Sequence, residues 1–218
     1  MRTDKTDPQA KLFDRLVSLC DDDCCRLVRQ MLHDRLDPQG IKTTFRLALL
    51  EIARLYETGH YFLSGILMAG RILRKSMDLI HVQQKTSPFS GRAQLGSISG
   101  DGPDQARNLT NLILAAFGFE TRDLGQPVNP RTFLNEAARF QPNLIGLFNI
   151  VPALQWRLLE IVRGLQDQGS GGLRPYIFLS GPRTIDHLRL KTGSDFSLIS
   201  IGDILTMCHQ LIMNYQTV

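Results

Sequence analysis

The sequence predicts an α/β protein in which a four-helix bundle precedes a domain with five parallel strands. Residues 1–82 repeat apolar side chains at helical spacing, with short connections between the periodic segments. Residues 83–92 are rich in serine, proline and glycine and have no periodicity, which is typical of a linker. Residues 93–218 alternate short apolar runs with amphipathic segments. We therefore predict a helical domain, a linker and an α/β domain within these three boundaries.

Each helix of the bundle is predicted from its own apolar stripe and its end signals. The predicted segments are residues 8–19, 21–36, 43–58 and 62–82. Asp21, Asp22 and Asp23 form an acidic first turn suited to the helix dipole of the second segment. Gly59 ends the third segment. Residues 37–40, Asp-Pro-Gln-Gly, are predicted to form a turn before that segment.

The α/β domain is predicted from five short strand-like runs with a helix after each. The strands are expected at 94–99, 120–124, 144–149, 176–180 and 196–199, and the helices near 105–117, 130–140, 152–168, 184–191 and 202–215. Such alternation favours a parallel sheet with helices on both faces. A ligand is then expected at the carboxyl ends of the strands.

Composition excludes several classes of function. The chain has 218 residues and a formal charge of +4, with 25 basic residues interleaved among 21 acidic ones. The sequence has no block of lysine and arginine residues of the kind that binds nucleic acid, so we do not expect nucleic-acid binding. No apolar run approaches the roughly 20 residues of a spanning helix, and the polar start excludes a secretory signal, so we expect a cytoplasmic protein without membrane contact.

The cysteines do not predict a metal site. Cys20, Cys24 and Cys25 lie among three aspartates, but adjacent cysteines point to different faces of a helix. No second cysteine pair supplies the remaining ligands of a tetrahedron. We therefore expect small buried thiols in a reducing compartment and predict no metal-ligating residue.

Several segments, in order, resemble the cobalamin-binding module of methionine synthase and of the corrinoid proteins of methyltransferase systems. Residues 55–63, Leu-Tyr-Glu-Thr-Gly-His-Tyr-Phe-Leu, followed by Leu-Met-Ala-Gly at 67–70, are similar to the signature of the family's helical cap. Gly-Phe-Glu at 118–120 and Asp-Leu-Gly at 123–125 match landmarks of the second strand. Pro142 to Leu147 and Gly193 to Asp195 match landmarks of later strands.

The resemblance implies a four-helix cap joined to a flavodoxin-like domain that binds a corrinoid. It places Tyr61, Phe62 and Leu67 on the cap face that shields the upper side of the cobalt. It also implies a carrier that serves a partner methyltransferase or a regulatory protein and is not itself an enzyme. Homo-oligomerisation stays open. An aromatic and aliphatic stripe at this spacing is also typical of ordinary core packing.

The turn after the first strand departs from the family pattern at its metal ligand. The family reads Asp-x-His-x-x-Gly, in which the histidine binds cobalt from below. The aligned residues here are Asp101, Pro103 and Ala106, with Gly102 between the first two. Proline has no side-chain donor atom, so coordination from this position is excluded. The alternative for Asp101 is a turn-forming side chain bonded to its own backbone.

The resemblance also implies a channel for the nucleotide tail of the corrinoid. Two further positions of that channel differ from the family pattern. The family's Ser-x-Leu corresponds to Phe148-Asn149-Ile150, and its Gly-Gly corresponds to Ser180-Gly181. Together with Ala106, these changes predict a channel that is narrowed or filled. Phe148 is equally well explained as a core residue.

Two main functional hypotheses follow. The first is a corrinoid carrier or sensor that binds cobalamin without a protein histidine on the cobalt. The second is a degenerate relative that has lost the cofactor and acts as a regulatory or protein-interaction module. A third, haem or another tetrapyrrole, needs a ligand such as His60, His187 or His209. No catalytic residue is predicted.

Overall fold

A computed structural model describes residues 7–84, 91–100, 105–125, 127–168, 174–181 and 185–213. These residues form two compact units. The helical unit contains the described residues up to 84, together with 116–118 and 204–213. The sheet unit contains the other described residues between 91 and 203.

The helical unit begins with the four predicted helices. They are α1 (Pro8–Val17), α2 (Asp21–His33), α3 (Pro38–Glu57) and α4 (Leu63–Gln84). Their apolar stripes form a core in which Leu12, Phe45, Ile52 and Leu73 are fully buried. Burial of these stripes stabilises the bundle, because short helices are marginal in water without tertiary packing.

The start of α3 corrects one prediction from the sequence. Residues 37–40 do not form a separate turn, and α3 begins at Pro38, five residues before the predicted start. The Asp37 side chain accepts a hydrogen bond from the Gln39 backbone N–H at 3.0 Å. An aspartate at the N-cap followed by proline at the first helical position is a start signal for a helix, and it outweighs the turn tendency of the same residues.

The sheet unit contains the five predicted strands in flavodoxin-like order. The elements are β1 (Arg92–Ser97), α5 (Gln105–Ala116), β2 (Glu120–Asp123), α6 (Pro130–Phe140), β3 (Leu144–Phe148), a 3-10 turn (Pro152–Leu154), α7 (Gln155–Gln168), β4 (Tyr176–Ser180), α8 (Ile185–Thr192) and β5 (Phe196–Leu198). All four strand pairs are parallel, and the order is β2-β1-β3-β4-β5. The predicted fold class is confirmed.

Side-chain alternation divides the residues of the strands between the two faces of the sheet. Ile98, Ile145, Leu147, Ile177 and Leu179 pack in one buried cluster with residues of α6 and α7. Residues of the opposite parity, which include Leu95, Phe148 and Phe178, point to the other face. Both faces are therefore apolar, as expected for a parallel sheet covered on both sides.

The final helix, α9 (Ile201–Met213), groups largely with the helical unit. The sequence assigned residues 93–218 to a single α/β domain, whereas residues 204–213 are compact with the N-terminal helices. His209 reaches α3, where its Nε2 lies 3.1 Å from the carbonyl oxygen of Lys42. Of the predicted linker, Gln83 and Gln84 lie in α4 and Arg92 in β1, while residues 85–90 lie outside the described residues.

None of the helices in the described ranges combines the length and the apolar character needed to cross a membrane.

Candidate functional site

The topology marks one place in the sheet unit as the candidate ligand site. In the order β2-β1-β3-β4-β5, the chain leaves β1 toward β2 on one side and later enters β3 on the other. Ligands of open α/β sheets bind at the carboxyl ends of the strands where the direction reverses. Here that point lies between the carboxyl ends of β1 and β3, where Ser97 and Phe148 are register partners.

A buried cation lies at this point. Arg107 is 5% exposed and projects from the first turn of α5. Its Nε is 2.9 Å from Oδ1 of Asp123 at the end of β2, and its Nη1 donates to the Ser97 hydroxyl at 2.7 Å. The guanidinium therefore joins α5 to the carboxyl ends of β1 and β2.

Asn149 completes this group, which we call the Arg107 cluster (Ser97, Arg107, Asp123 and Asn149). The Asn149 backbone is left-handed, with φ of 50°, and its amide nitrogen lies 3.5 Å from the Ser97 hydroxyl oxygen. Asp123 also accepts a hydrogen bond from the Gly125 N–H at 2.9 Å. The buried Arg107 charge therefore has an anionic and a neutral partner, which meets the requirement for burying a charge.

Phe148 lies beside the Arg107 cluster on the same face of the sheet. It is 1% exposed, and its ring packs edge-on against Phe178 with 5.6 Å between centroids. Gly146 makes room for this pair, because a Cβ there would lie 2.6 Å from Cδ2 of Leu95 and 2.8 Å from Cε1 of Phe178. Phe148 therefore packs as a core residue at the end of β3, which was one of its two interpretations.

The other predicted residues of the sheet unit are more accessible. Ser180 and Gly181 end β4 and are half-buried, and Ile150 is half-buried against the α6 and α7 cluster. Ala106 is exposed in the first turn of α5, and its carbonyl accepts from the Thr110 hydroxyl at 2.7 Å. Asp101, Gly102 and Pro103 lie outside the described residues.

The predicted cap residues lie just before α4 (Tyr61 and Phe62) or in its first turns (Leu67), and they differ in exposure. Tyr61 is half-buried, and its hydroxyl donates to the Val17 carbonyl. Burial raises the pKa of this phenol. Leu67 is half-buried, whereas Phe62 is 78% exposed. Phe62 therefore presents a large aromatic surface that the packing of its own unit does not use.

The histidines considered as tetrapyrrole ligands have other surroundings. The Nδ1 atom of His60 lies 2.9 Å from the Thr58 hydroxyl in an exposed turn, and His187 is exposed on α8. His209, by contrast, is buried, with 6% of its surface exposed. Its Nε2–H donates to a carbonyl, which leaves Nδ1 unprotonated and buried, and desolvation lowers the pKa of His209.

The cysteines behave as structural thiols. Cys24 and Cys208 are buried, Cys20 and Cys25 are half-buried, and all four are free. Burial raises the pKa of Cys24 to about 12. Across the ranges that the structure describes, no three histidine, cysteine or acidic side chains are placed to hold a metal ion.

A second concave surface lies away from the strand ends, between α6 and α7. It encloses about 420 Å³. Its lining combines apolar side chains with charges of both signs: Leu134, Trp156, Leu159, Glu160, Arg163, Gly164 and Asp167. This groove contains none of the residues predicted for the cofactor site.

The reasoning from sequence missed Arg107. A signal for it exists, because the buried stripe of α5 contains Arg107, Thr110, Ile113 and Leu114 at helical spacing. A cation on such a stripe must find a buried partner. The aspartate that neutralises it was noted only as a landmark of the second strand.

Comparisons with known proteins agree with the resemblance predicted from the sequence. Residues 9–81 match the sequence model of a family described as B12 binding domain. The chain is 24% identical over 202 residues to trimethylamine corrinoid protein 1 of Methanosarcina mazei, which covers 90% of this chain and 93% of that protein. It is 19% identical over 207 residues to dimethylamine corrinoid protein 2 of the same organism, covering 93% and 96% of the two chains.

Two solved structures share the fold over nearly the whole length. A cobalamin-binding protein from Desulfitobacterium hafniense has a TM-score of 0.63 at 19% identity, covering 94% of this chain and 98% of that one. The methanol:cobalamin methyltransferase complex from Methanosarcina barkeri has a TM-score of 0.56 at 15% identity, covering 97% and 82%. The predicted resemblance to the cobalamin-binding module of corrinoid proteins is confirmed.

Proposed function

We propose that this chain binds a corrinoid and presents it to a separate methyltransferase. The observation that carries the proposal is the match of residues 9–81 to a B12 binding domain, followed by a β2-β1-β3-β4-β5 parallel sheet. Relatives that align over nine-tenths of the chain are named as corrinoid proteins of methylamine systems. The division into residues 1–82, 83–92 and 93–218 stays part of the proposal.

The residues at the carboxyl edge support a carrier rather than a catalyst. The Arg107 guanidinium, the Asp123 carboxylate and the Ser97 hydroxyl bond to one another. A corrinoid supplies the methyl-transfer chemistry itself when bound, so the protein needs only to hold, orient and shield it. Phe62, with 78% of its surface exposed, offers an aromatic contact for such a flat ligand.

Gel filtration with added cofactor tests this function directly. The purified chain is incubated with hydroxocobalamin at tens of micromolar and separated from free cofactor. We expect the visible absorption of the corrinoid to elute with the protein at close to one equivalent. Protein that elutes without colour, from both hydroxocobalamin and methylcobalamin, contradicts the proposal.

The buried Arg107 cluster and Phe148 also favour a second candidate. In this alternative the cofactor site has closed, and the chain acts as a regulatory or protein-interaction module. A ligand that binds only the folded state raises its melting temperature, so saturating methylcobalamin distinguishes the two. A melting temperature unchanged by any corrinoid supports the interaction module.

A further inference from the structure

We infer that the Arg107 cluster determines which form of corrinoid this chain accepts, namely one whose nucleotide tail does not enter the sheet. The inference rests on the proposed function and deepens it. The tail of a cobalamin either coordinates its own cobalt or swings away from it. A tail that has swung away needs space in the protein, and an open α/β sheet offers that space at its switch point.

The switch point between α5 and the sheet is filled by side chains of this chain. Arg107 is 5% exposed and Phe148 is 1% exposed, and both lie at the carboxyl ends of β1 and β3. Ser97, the register partner of Phe148, is fully buried beneath the guanidinium. A ligand group that enters here must displace the guanidinium or the ring.

Displacement of Arg107 is unfavourable because of what it leaves behind. The Asp123 carboxylate and the Ser97 hydroxyl would each lose the hydrogen bond from the guanidinium, and Asp123 would keep only the Gly125 N–H among the donors named above. Hydrogen bonds to charged groups are stronger than those between neutral groups, so exchanging this one for an uncharged ligand contact is unfavourable. The cluster therefore disfavours an inserted tail even where the remaining contacts of the ligand are retained.

The side chain at the position aligned with the cobalt ligand also favours a corrinoid whose tail is not displaced. Pro103 stands at the position that aligns with the family's cobalt-binding histidine, and a proline side chain carries no donor atom. A cobalamin that released its own base here would gain no imidazole from this position. The residues present do not fit a corrinoid bound with its tail displaced, and they do fit one that keeps its base or has no tail.

Absorption spectroscopy of bound cofactors tests the inference. Methylcobalamin changes its visible spectrum when its base leaves the cobalt, and cobinamide lacks the nucleotide tail entirely. We expect bound methylcobalamin to retain its base-on spectrum, and cobinamide to bind within about three-fold of its affinity, since the tail makes no buried contact. A base-off spectrum of bound methylcobalamin, or cobinamide that binds at least about ten-fold more weakly, overturns the inference and leaves the proposed function standing. Failure of both corrinoids to bind overturns the function and the inference together.

A double variant tests whether the Arg107 cluster is what keeps the nucleotide tail out of the sheet. Arg107→Ala with Asp123→Ala removes both charges and opens the crevice without leaving an unpaired carboxylate. We expect a base-off component in the spectrum of methylcobalamin bound to this double variant, with Arg131→Ala, at an exposed arginine of α6, as the control. A folded double variant whose spectrum stays fully base-on contradicts the assignment to Arg107. If the double variant does not fold, the wild-type spectrum and the cobinamide comparison still decide.

Discussion

Arg107 and Asp123 form a partly buried ion pair that ties α5 to the end of β2, with 2.9 Å between Nε and Oδ1. The arginine side chain is 6% exposed and the aspartate side chain 23%. The pair lies next to Ser97, at the switch point of the sheet. It therefore couples the stability of the sheet unit to the shape of its candidate ligand site.

The two partners of this pair are expected to be energetically coupled. Arg107→Ala removes a charge-assisted hydrogen bond to Asp123 and a hydrogen bond to Ser97, and it should lower the free energy of unfolding by about 1.5–3 kcal/mol. The double variant Arg107→Ala with Asp123→Ala should lose less than the sum of the single variants. Urea unfolding of the four proteins in a double-mutant cycle measures the coupling, and additive losses would contradict the pairing.

Replacement of Gly146 by any residue with a Cβ is expected to lower the stability of the chain. Gly146→Ala places a methyl group 2.6 Å from Cδ2 of Leu95 and should cost about 1–3 kcal/mol through overpacking. Gly40→Ala is the matched control, because the nearest neighbour there is the flexible end of Gln9 and the position is helical. Thermal unfolding should show a lowered melting temperature for Gly146→Ala and an unchanged or raised one for Gly40→Ala. Equal effects would contradict this account of the Phe178 packing.

Phe62 is expected to matter for corrinoid binding and not for folding. Since the side chain is 78% exposed, Phe62→Ala should change the free energy of unfolding by less than about 0.5 kcal/mol. Loss of an aromatic contact should weaken methylcobalamin binding by about ten-fold. Val82→Ala, at a residue of α4 that is 79% exposed, is the control and should leave both quantities unchanged. Absorbance titration measures the affinity, and wild-type affinity in Phe62→Ala removes this residue from the site.

Stability is expected to fall as the pH drops below about 6.5, the ordinary pKa of histidine. Burial lowers the pKa of His209, and the charges of Arg46 and Lys42 lower it further, against the hydrogen bond to the Lys42 carbonyl. Burial also lowers the pKa of His81, with a further contribution from Lys42 and opposition from Asp78. The unfolded chain therefore binds protons that the folded chain does not, so acid favours unfolding.

The measurement is urea unfolding between pH 8 and pH 5. Each such histidine contributes at most about 1.4 kcal/mol per pH unit below 6.5, and this contribution levels off once the folded state is protonated. His209→Leu should flatten the profile, whereas His33→Asn, at a side chain that is 90% exposed, should leave it unchanged. A His209→Leu profile as steep as that of the wild type would show that this group does not carry the effect.

The strands and most helices were predictable because their signals are local. The apolar run at 176–180 and the helix at 130–140 appear in the structure with the predicted bounds. β1 begins and ends two residues earlier than predicted, although the N–H groups of Ile98 and Ser99 still donate to the carbonyls of Phe148 and Asn149. The candidate site was less predictable, since burial decides whether Phe148 lines a channel or packs in a core.

The sequence by itself determined the helical N-terminal region and the parallel sheet of this chain. Periodicity and residue identity are properties of short segments, and they survive without knowledge of the fold. The tertiary structure alone decided that Arg107 meets Asp123, 16 residues away, that Ser97 approaches Asn149, 52 residues away, and that His209 reaches Lys42, 167 residues away. Such pairings depend on which strand ends and helices become neighbours, and only the packing of the apolar faces fixes that choice.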